Sequence, residues 1–290
     1  MKKLLTAVLL ATTIIVPTQI AQAADEKVLA IIDTAIDSSK VPAVIYEACF
    51  AQSGTNTSCP NGTGFMEGKG AAVLQKTPSA ASVNNFNHGT NMTKTALLTS
   101  PDIKIVFIRI AHITDSGSMG VANPESISRA VDWVSKNASK YSIDAVSISQ
   151  SFTTATNLLR CTSDSVIINA VSSLNNQSIP VFAATGNDRL TDKVGFPSCV
   201  SGIIGVGALA WSKNTKLPAD YTIMSPVTNR GPGLDIVAQG EQEIGTVQHT
   251  GTSVATAIAA SLYVGKNTDK NVNNFISKFT RVLTYPYISK

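Results

Sequence analysis

Five near-continuous apolar runs limit what this chain can become. They are Val28 to Ile32, Ile103 to Ile110, Ile143 to Ile148, Ile179 to Ala184 and Ile203 to Ala208, all rich in β-branched residues. A strand wetted on one face alternates apolar with polar residues, whereas a strand covered on both faces has no need to. The runs therefore read as central strands of a parallel sheet. Helix-period segments lie between them. Pro124 follows Asn123 at a first helical position, and Ile127, Ala130, Val131 and Val134 share one face of a helix reaching about Lys140. Val166, Ile167, Ala170, Val171 and Leu174 repeat the pattern from about Ser163, and a third helix starts at Ser253 after Gly251. Strand and helix in alternation give an α/β three-layer sandwich, a mostly parallel central sheet flanked by helices.

The remaining segments are less regular. Ser38 to Asn87 is polar and rich in Gly, Asn, Ser and Thr, and is expected to form loops with one short strand at most. Val272 to Val282 places Phe275, Ile276, Phe279 and Val282 at helical spacing, which predicts a helix packed outside the sheet. No internal repeat or linker divides residues 24–290, so a single domain is expected, with no N-terminal pro-domain apparent.

The first 23 residues have the three parts of a secretory signal: Lys2 and Lys3, an apolar stretch from Leu4 to Val16, and Ala21-Gln22-Ala23 as a cleavage site. Pro17 and Gln19 interrupt the stretch well short of the roughly 20 apolar residues that span a bilayer. A secreted or periplasmic protein, free of the membrane after processing, is expected. The whole chain carries a net charge of +4, part of it in the signal lysines, so the exported part is near neutral and no nucleic-acid partner is indicated. Four cysteines suit an oxidising compartment and allow three pairings. The favoured one joins Cys49 to Cys59, closing a polar loop, and Cys161 to Cys199, tying two loops that flank the Asn187 strand. Zinc is disfavoured because the sequence has no close C-x-x-C pair and no histidine near either cysteine group.

Chemistry gathers at four places. Ser253 stands at a glycine-tight turn, Thr250-Gly251-Thr252-Ser253, where a small-residue helix begins. A serine hydroxyl is a weak nucleophile until a base takes its proton, and the base needs a carboxylate to hold its orientation. His88 opens His88-Gly89-Thr90 ahead of a helix-like stretch, and Asp33 ends the first apolar run. His112, at a strand end, and His249, four residues before Ser253, are weaker candidates for the base. Asp37 is the decoy for the acid. Asn187 follows the fourth apolar run in Ala183-Ala184-Thr185-Gly186-Asn187.

In chain order the set reads aspartate, histidine, serine. That is the subtilisin order; α/β-hydrolases run serine, acid, histidine, and chymotrypsin-like enzymes run histidine, aspartate, serine. From about Val28 to Val264 the chain resembles the subtilisin-like serine peptidases, the subtilases. The resemblance implies a serine endopeptidase acting on peptide or protein substrates through an acyl-enzyme. Asp33, His88 and Ser253 would be catalytic, with Asn187 and the Ser253 backbone N–H forming the oxyanion hole. Substrate would lie extended along Ser149-Gln150-Ser151, with Ala183, Ala184, Thr185 and Gly186 on the facing side and the two alanines leaving room for a substrate side chain. No cofactor is required for catalysis, structural calcium is left unassigned, and a monomer is expected.

Several positions depart from the family pattern. Ala35 stands where glycine is common, Asn91-Met92-Thr93-Lys94 replaces His-Val-Ala-Gly, Ala257 replaces a proline, and Gln150-Ser151 replaces Leu-Gly. They mark a distant branch. A catalytically silent subtilase serving as a peptide- or protein-binding module is the alternative reading. An esterase on another α/β scaffold would need Gly-x-Ser-x-Gly around Ser253 and a histidine downstream of it, and the sequence has neither.

Overall fold

The computed structural model describes residues 26–53, 56–74, 77–114, 116–120, 123–209, 224–266, 271–277, 281–282 and 285–288. The expected signal segment, residues 1–23, and the start of the exported chain at Ala24 lie outside the described residues. In chain order the elements begin with β1 (Val28–Asp33), β2 (Val44–Phe50), the two-residue strands β3 (Gln52–Ser53) and β4 (Asn56–Thr57), and β5 (Phe65–Glu67). Helices α1 (Val83–Phe86) and α2 (His88–Thr99) precede β6 (Lys104–Arg109) and the short pair β7 (His112–Ile113) and β8 (Met119–Gly120). Next come α3 (Pro124–Asn137), β9 (Ile143–Ile148), α4 (Ala155–Ser163), α5 (Ser165–Asn176), β10 (Val181–Ala184) and β11 (Ile203–Leu209). The rest are β12 (Ile236–Gln239), the hairpin β13 (Glu241–Ile244) and β14 (Val247–Thr250), α6 (Thr252–Lys266), α7 (Val272–Ser277), β15 (Arg281–Val282) and β16 (Tyr285–Ile288).

Ten strands form one sheet in the order β15-β16-β12-β11-β10-β9-β1-β6-β2-β5. Every neighbouring pair from β16 to β2 is parallel, and only the edge strands β15 and β5 run antiparallel. Side chains alternate between the two faces, so each strand feeds both layers. Ala30, Ile32, Val106 and Ile108 pack with α3 and α5, while Leu29, Ile31, Ile105 and Phe107 pack with α2 and α6. Helix α6 is apolar nearly all round, as a helix buried on most sides must be. The expected three-layer α/β architecture is the one observed.

Three local expectations change. The polar segment 38–87 holds a full sheet strand, β2, paired to β6 from Val44↔Ile105 to Cys49↔Arg109. Tyr46 and Glu47 break its apolar run and hide it from the sequence pattern. Both are accommodated by partners: Tyr46 stacks on Trp133 and Tyr141, and the buried Glu47 accepts a hydrogen bond from Ala72 N at 2.9 Å. Helix α4 is a second surprise, a nine-residue helix whose few apolar residues, Ala155, Leu158, Leu159 and Cys161, are none of them fully buried. The third is the C-terminal segment, where the expected helix ends at Ser277 and Val282 lies in a strand. The free edge of β12 takes β16 instead, with Val237↔Tyr287 and Ala238↔Ile288 in register.

Both favoured disulfides are present, Cys49–Cys59 and Cys161–Cys199. Cys161 sits in α4, a helix where a loop was expected. Beside the first disulfide, Arg109 is fully buried and gives its guanidinium N–H groups to Ala111 O (2.9 Å), Val73 O (2.8 Å) and Ser58 Oγ (3.5 Å). Burial pushes its pKa down to about 10. The side chain thereby pins the polar insertion onto β6.

Helices α3 and α5 end alike. Ile143 N donates to Ala138 O and Ile179 N to Leu174 O, both at 2.9 Å, each closing a six-residue C-terminal turn. The residue before each isoleucine is a serine with positive φ, Ser142 at 53° and Ser178 at 61°. Glycine is the usual occupant because a Cβ is strained there. Ser142→Gly and Ser178→Gly should each stabilise the protein by about 1 kcal/mol, read as a higher urea midpoint at unchanged slope.

Candidate active site

The order of strands reverses around β1, whose chain successors lie on one side (β2, β6) and then on the other (β9, β10, β11). In an open parallel sheet the crevice at the carboxyl ends of the strands, at such a switch point, is where ligands bind. Asp33 is the last residue of β1, Ser149 to Ser151 follow β9, and Asn187 follows β10. The fold delivers all three segments to this edge.

Asp33 is fully buried, and its Oδ1 lies 2.7 Å from His88 Nδ1. An ionised carboxylate only accepts, so Nδ1 carries the proton and Nε2 is the free, basic nitrogen. Burial lowers the His88 pKa, but the charge of Asp33 and the hydrogen bond to it raise it by more, so the imidazole titrates above its ordinary 6.5. About a third of the His88 side chain, 30%, faces solvent. Local chemistry fixes the ring's position. His88 is the first residue of α2, and Thr34 Oγ1 ties that turn by donating to Phe86 O (3.0 Å) and accepting from Gly89 N (3.1 Å). A Cβ on Gly89 would come within 2.4 Å of Ala35 O and 2.6 Å of Phe107 Cζ, so only glycine lets α2 lie this close to β1.

Ser253 lies in the first turn of α6, where unpaired N–H groups and the helix dipole favour negative charge. Its hydroxyl donates to Ser149 O at 3.0 Å, and Ser149 Oγ donates back to Ser253 O at 3.0 Å. Among the described residues Ser253 makes no hydrogen bond to His88. The first turn of α6 is thus clasped to the end of β9. Asn187 stands opposite, exposed, with Oδ1 accepting from Thr252 N (3.0 Å) and Thr252 Oγ1 (3.1 Å). That leaves the amide Nδ2 as the end free to donate.

The turn carrying Asn187 is held from beneath by Asn229, which is fully buried. Its Oδ1 accepts from Asp188 N (2.9 Å) and Leu190 N (3.1 Å), and its Nδ2 donates to Thr185 O (3.1 Å) and Asp188 Oδ2 (2.9 Å). Gly186 crosses directly over it at φ 110°, and a Cβ there would lie 2.3 Å from Asn229 Nδ2.

Not every expected residue reaches the cleft. Ala183 is buried in the core beneath α3 and α5, and Ala184 and Thr185 are also buried, because β10 is covered on both faces. The Ala183 methyl group, expected to leave space for substrate, packs in the core. Ser149 is buried as well and occupied with Ser253, whereas Gln150 and Ser151 remain partly exposed. Ser151 Oγ donates to Thr185 O at 3.2 Å, linking the two segments. Gln150 Nε2 donates to Asp33 Oδ1 at 3.2 Å. His112 is buried away from this group, its pKa lowered by burial and by Arg109. His249 is half-buried in β14, and burial and the charge of His88 both lower its pKa. Asp37 pairs with Lys40 at 2.7 Å instead. Among the described residues no group of three His, Cys, Asp or Glu side chains could hold a metal ion. Thr34, Thr252 and Asn229 were missed by sequence reasoning. Thr34 and Thr252 adjoin motif residues and could have been suspected, but Asn229 carries no local signal.

The subtilase family profile matches residues 25–265. The chain belongs to that family. Its fold is similar to an epidermin leader peptide processing serine protease from Staphylococcus aureus, at 14% identity over 92% of this chain and 74% of that one, with a TM-score of 0.64. A protease from Pseudoalteromonas arctica matches at 17% identity over 90% and 84% of the two chains, with a TM-score of 0.63. The nisin leader peptidase from Lactococcus lactis matches at 16% identity over 92% and 86%, with a TM-score of 0.61. At such identities the likeness is one of fold. No curated protein sequence matches this subtilase.

Gly186→Ala tests the turn. The substitution should lower folding stability by about 2–4 kcal/mol in urea titrations, since the strained φ and the contact with Asn229 must both be relieved.

Proposed function

We propose that this subtilase is an exported serine endopeptidase in which His88, oriented by Asp33, activates Ser253. The 2.7 Å bond between a fully buried carboxylate and Nδ1 carries the reading, because it fixes the tautomer that leaves Nε2 basic. Attack on a peptide carbonyl requires Ser253 Oγ to leave the Ser149 carbonyl and donate to Nε2. The oxyanion would then receive the Asn187 amide and the Ser253 backbone N–H, with the α6 dipole behind them. His88, now an imidazolium stabilised by Asp33, returns the proton to the leaving amine, and water repeats the sequence on the acyl-enzyme. A peptide or protein substrate follows from the family. Two disulfides support a secreted or periplasmic site of action.

The Ser253–Ser149 bond is the one observation favouring the alternative, a silent subtilase that binds peptides. A fluorophosphonate probe separates the two. Labelling that vanishes in Ser253→Ala supports catalysis, and folded wild-type protein that takes no label supports the binder. Given labelling, Asp33→Asn should lower kcat by about 10⁴. Asn187→Ala should lower it by about 10²–10³, the magnitude known from subtilisin and carried over with the family.

The His88 shift sets the pH behaviour. A base must be deprotonated, so kcat/KM should fall as pH drops through a midpoint above 6.5, by about tenfold per pH unit below it. Stability runs the other way: a raised histidine contributes fully below pH 6.5, and that contribution is lost as pH rises through the folded-state value. A pH–rate profile with its acidic limb at or below pH 6.5 would contradict the assignment.

A further inference from the structure

Three donors converge on a single oxygen of Asp33. His88 Nδ1 lies 2.7 Å from Oδ1, Thr34 N 2.6 Å and Gln150 Nε2 3.2 Å. The other oxygen, Oδ2, is buried without a partner among the described residues. Thr34 N is the next backbone group along the chain and cannot do otherwise. Gln150 reaches in from the segment after β9, 117 residues away, and is the one donor of the three that belongs to neither the carboxylate's own turn nor the proposed base.

The amide's orientation follows from its surroundings. Turned over, Oε1 would face Oδ1 and two acceptors would touch, so Nε2 must face the carboxylate. Nε2 also lies 3.5 Å from His88 Nδ1. Because Nδ1 carries the proton given to Asp33, the two nitrogens are donors lying side by side on one acceptor. An apolar residue at this position could offer nothing to that oxygen.

We propose that Gln150 is a positioning residue for the Asp33–His88 pair, its amide anchoring the carboxylate oxygen that holds the imidazole and drawing off part of the charge the ring feels. Two consequences follow. The carboxylate cannot swing Oδ2 toward His88 without breaking the amide bond as well, so the ring keeps one direction. A carboxylate that shares its charge with a second donor also stabilises the imidazolium less, so His88 releases its proton at lower pH than it would beside an apolar residue.

Charged and titratable groups also lie on His88's own helix and on other elements at this end of the sheet. Asp33 lies on β1, Lys94 on α2, Arg109 on β6, His249 on β14, and Glu241 and Glu243 on β13, which packs beside α2. The charge of His88 lowers the pKa of His249. A change at position 150 replaces none of these side chains and acts on His88 through Asp33, so a difference between variant and wild type reports the amide's hold on that carboxylate.

The experiment is an NMR pH titration of the three histidines in the full-length protein, comparing wild type with Gln150→Met and Gln150→Glu. Methionine keeps the length and removes the donor, and should raise the His88 midpoint by about half a pH unit. Glutamate adds a second negative charge and should raise it further. His112 should not move. The link to turnover rests on the peptidase reading: the acidic limb of kcat/KM should shift with the midpoint, giving about threefold lower kcat/KM at pH 6 in Gln150→Met. The rise in folded Gln150→Met supports the proposal, because only the donor is lost there, and a His88 midpoint at its wild-type value in either folded variant overturns it. A shifted midpoint in a protein without turnover would remove the peptidase reading and leave this one standing, and turnover with an unmoved midpoint would do the reverse.

Discussion

The hydrogen bond between Asp33 and His88 is the interaction on which the arrangement depends. A carboxylate with no exposure is expensive to bury unless its charge is met by hydrogen bonds. Among the described residues no lysine or arginine meets it. The donors are an imidazole, a backbone N–H and an amide, and each is brought by a different stretch of chain: the start of α2, the turn after β1, and the segment after β9. Three elements of the sheet and its helix layer must therefore arrive together for the charge to be tolerated. The pair is a check on the fold as much as a part of the site.

Around that pair the cleft has two lips with different supports. One is the clasp between Ser149 and Ser253, which joins β9 to the first turn of α6 through two reciprocal hydrogen bonds. The other is the turn from Thr185 to Leu190, held open by the buried Asn229 and tied across to α6 through Asn187 and Thr252. Both lips close on the same helix terminus. A satisfied polar network in a dry setting is rigid, and that is the condition under which fixed donors stabilise charge without having to reorganise.

The apolar runs and motif spacings carried much of this into the sequence. Strands covered on both faces announce themselves, and so do helices with one apolar stripe such as α3 and α5. Elements that broke those patterns were missed for identifiable reasons. β2 contains a glutamate that is buried because Ala72 N answers it, and α4 is short with no fully buried residue. At the site, Asp33 stood out at the end of an apolar run, and His88, Asn187 and Ser253 through glycine-containing motifs at the ends of elements. Ala183 and Ala184 are small residues, which leave room for substrate in one setting and allow close packing in another, and the sequence does not show their burial.

The sequence by itself determined the layer architecture and the family, since periodicity and motif order are local properties written along the chain. Tertiary structure decided which atoms meet. That Gln150 would donate to Asp33, that Asn229 would hold the turn beneath Asn187, and that Ser253 would rest on the Ser149 carbonyl all depend on contacts between residues 39 to 117 positions apart. Such contacts have no periodicity and no motif. They exist only where the parallel sheet sets the carboxyl ends of distant strands side by side, which is why the chain's order alone could not reveal them.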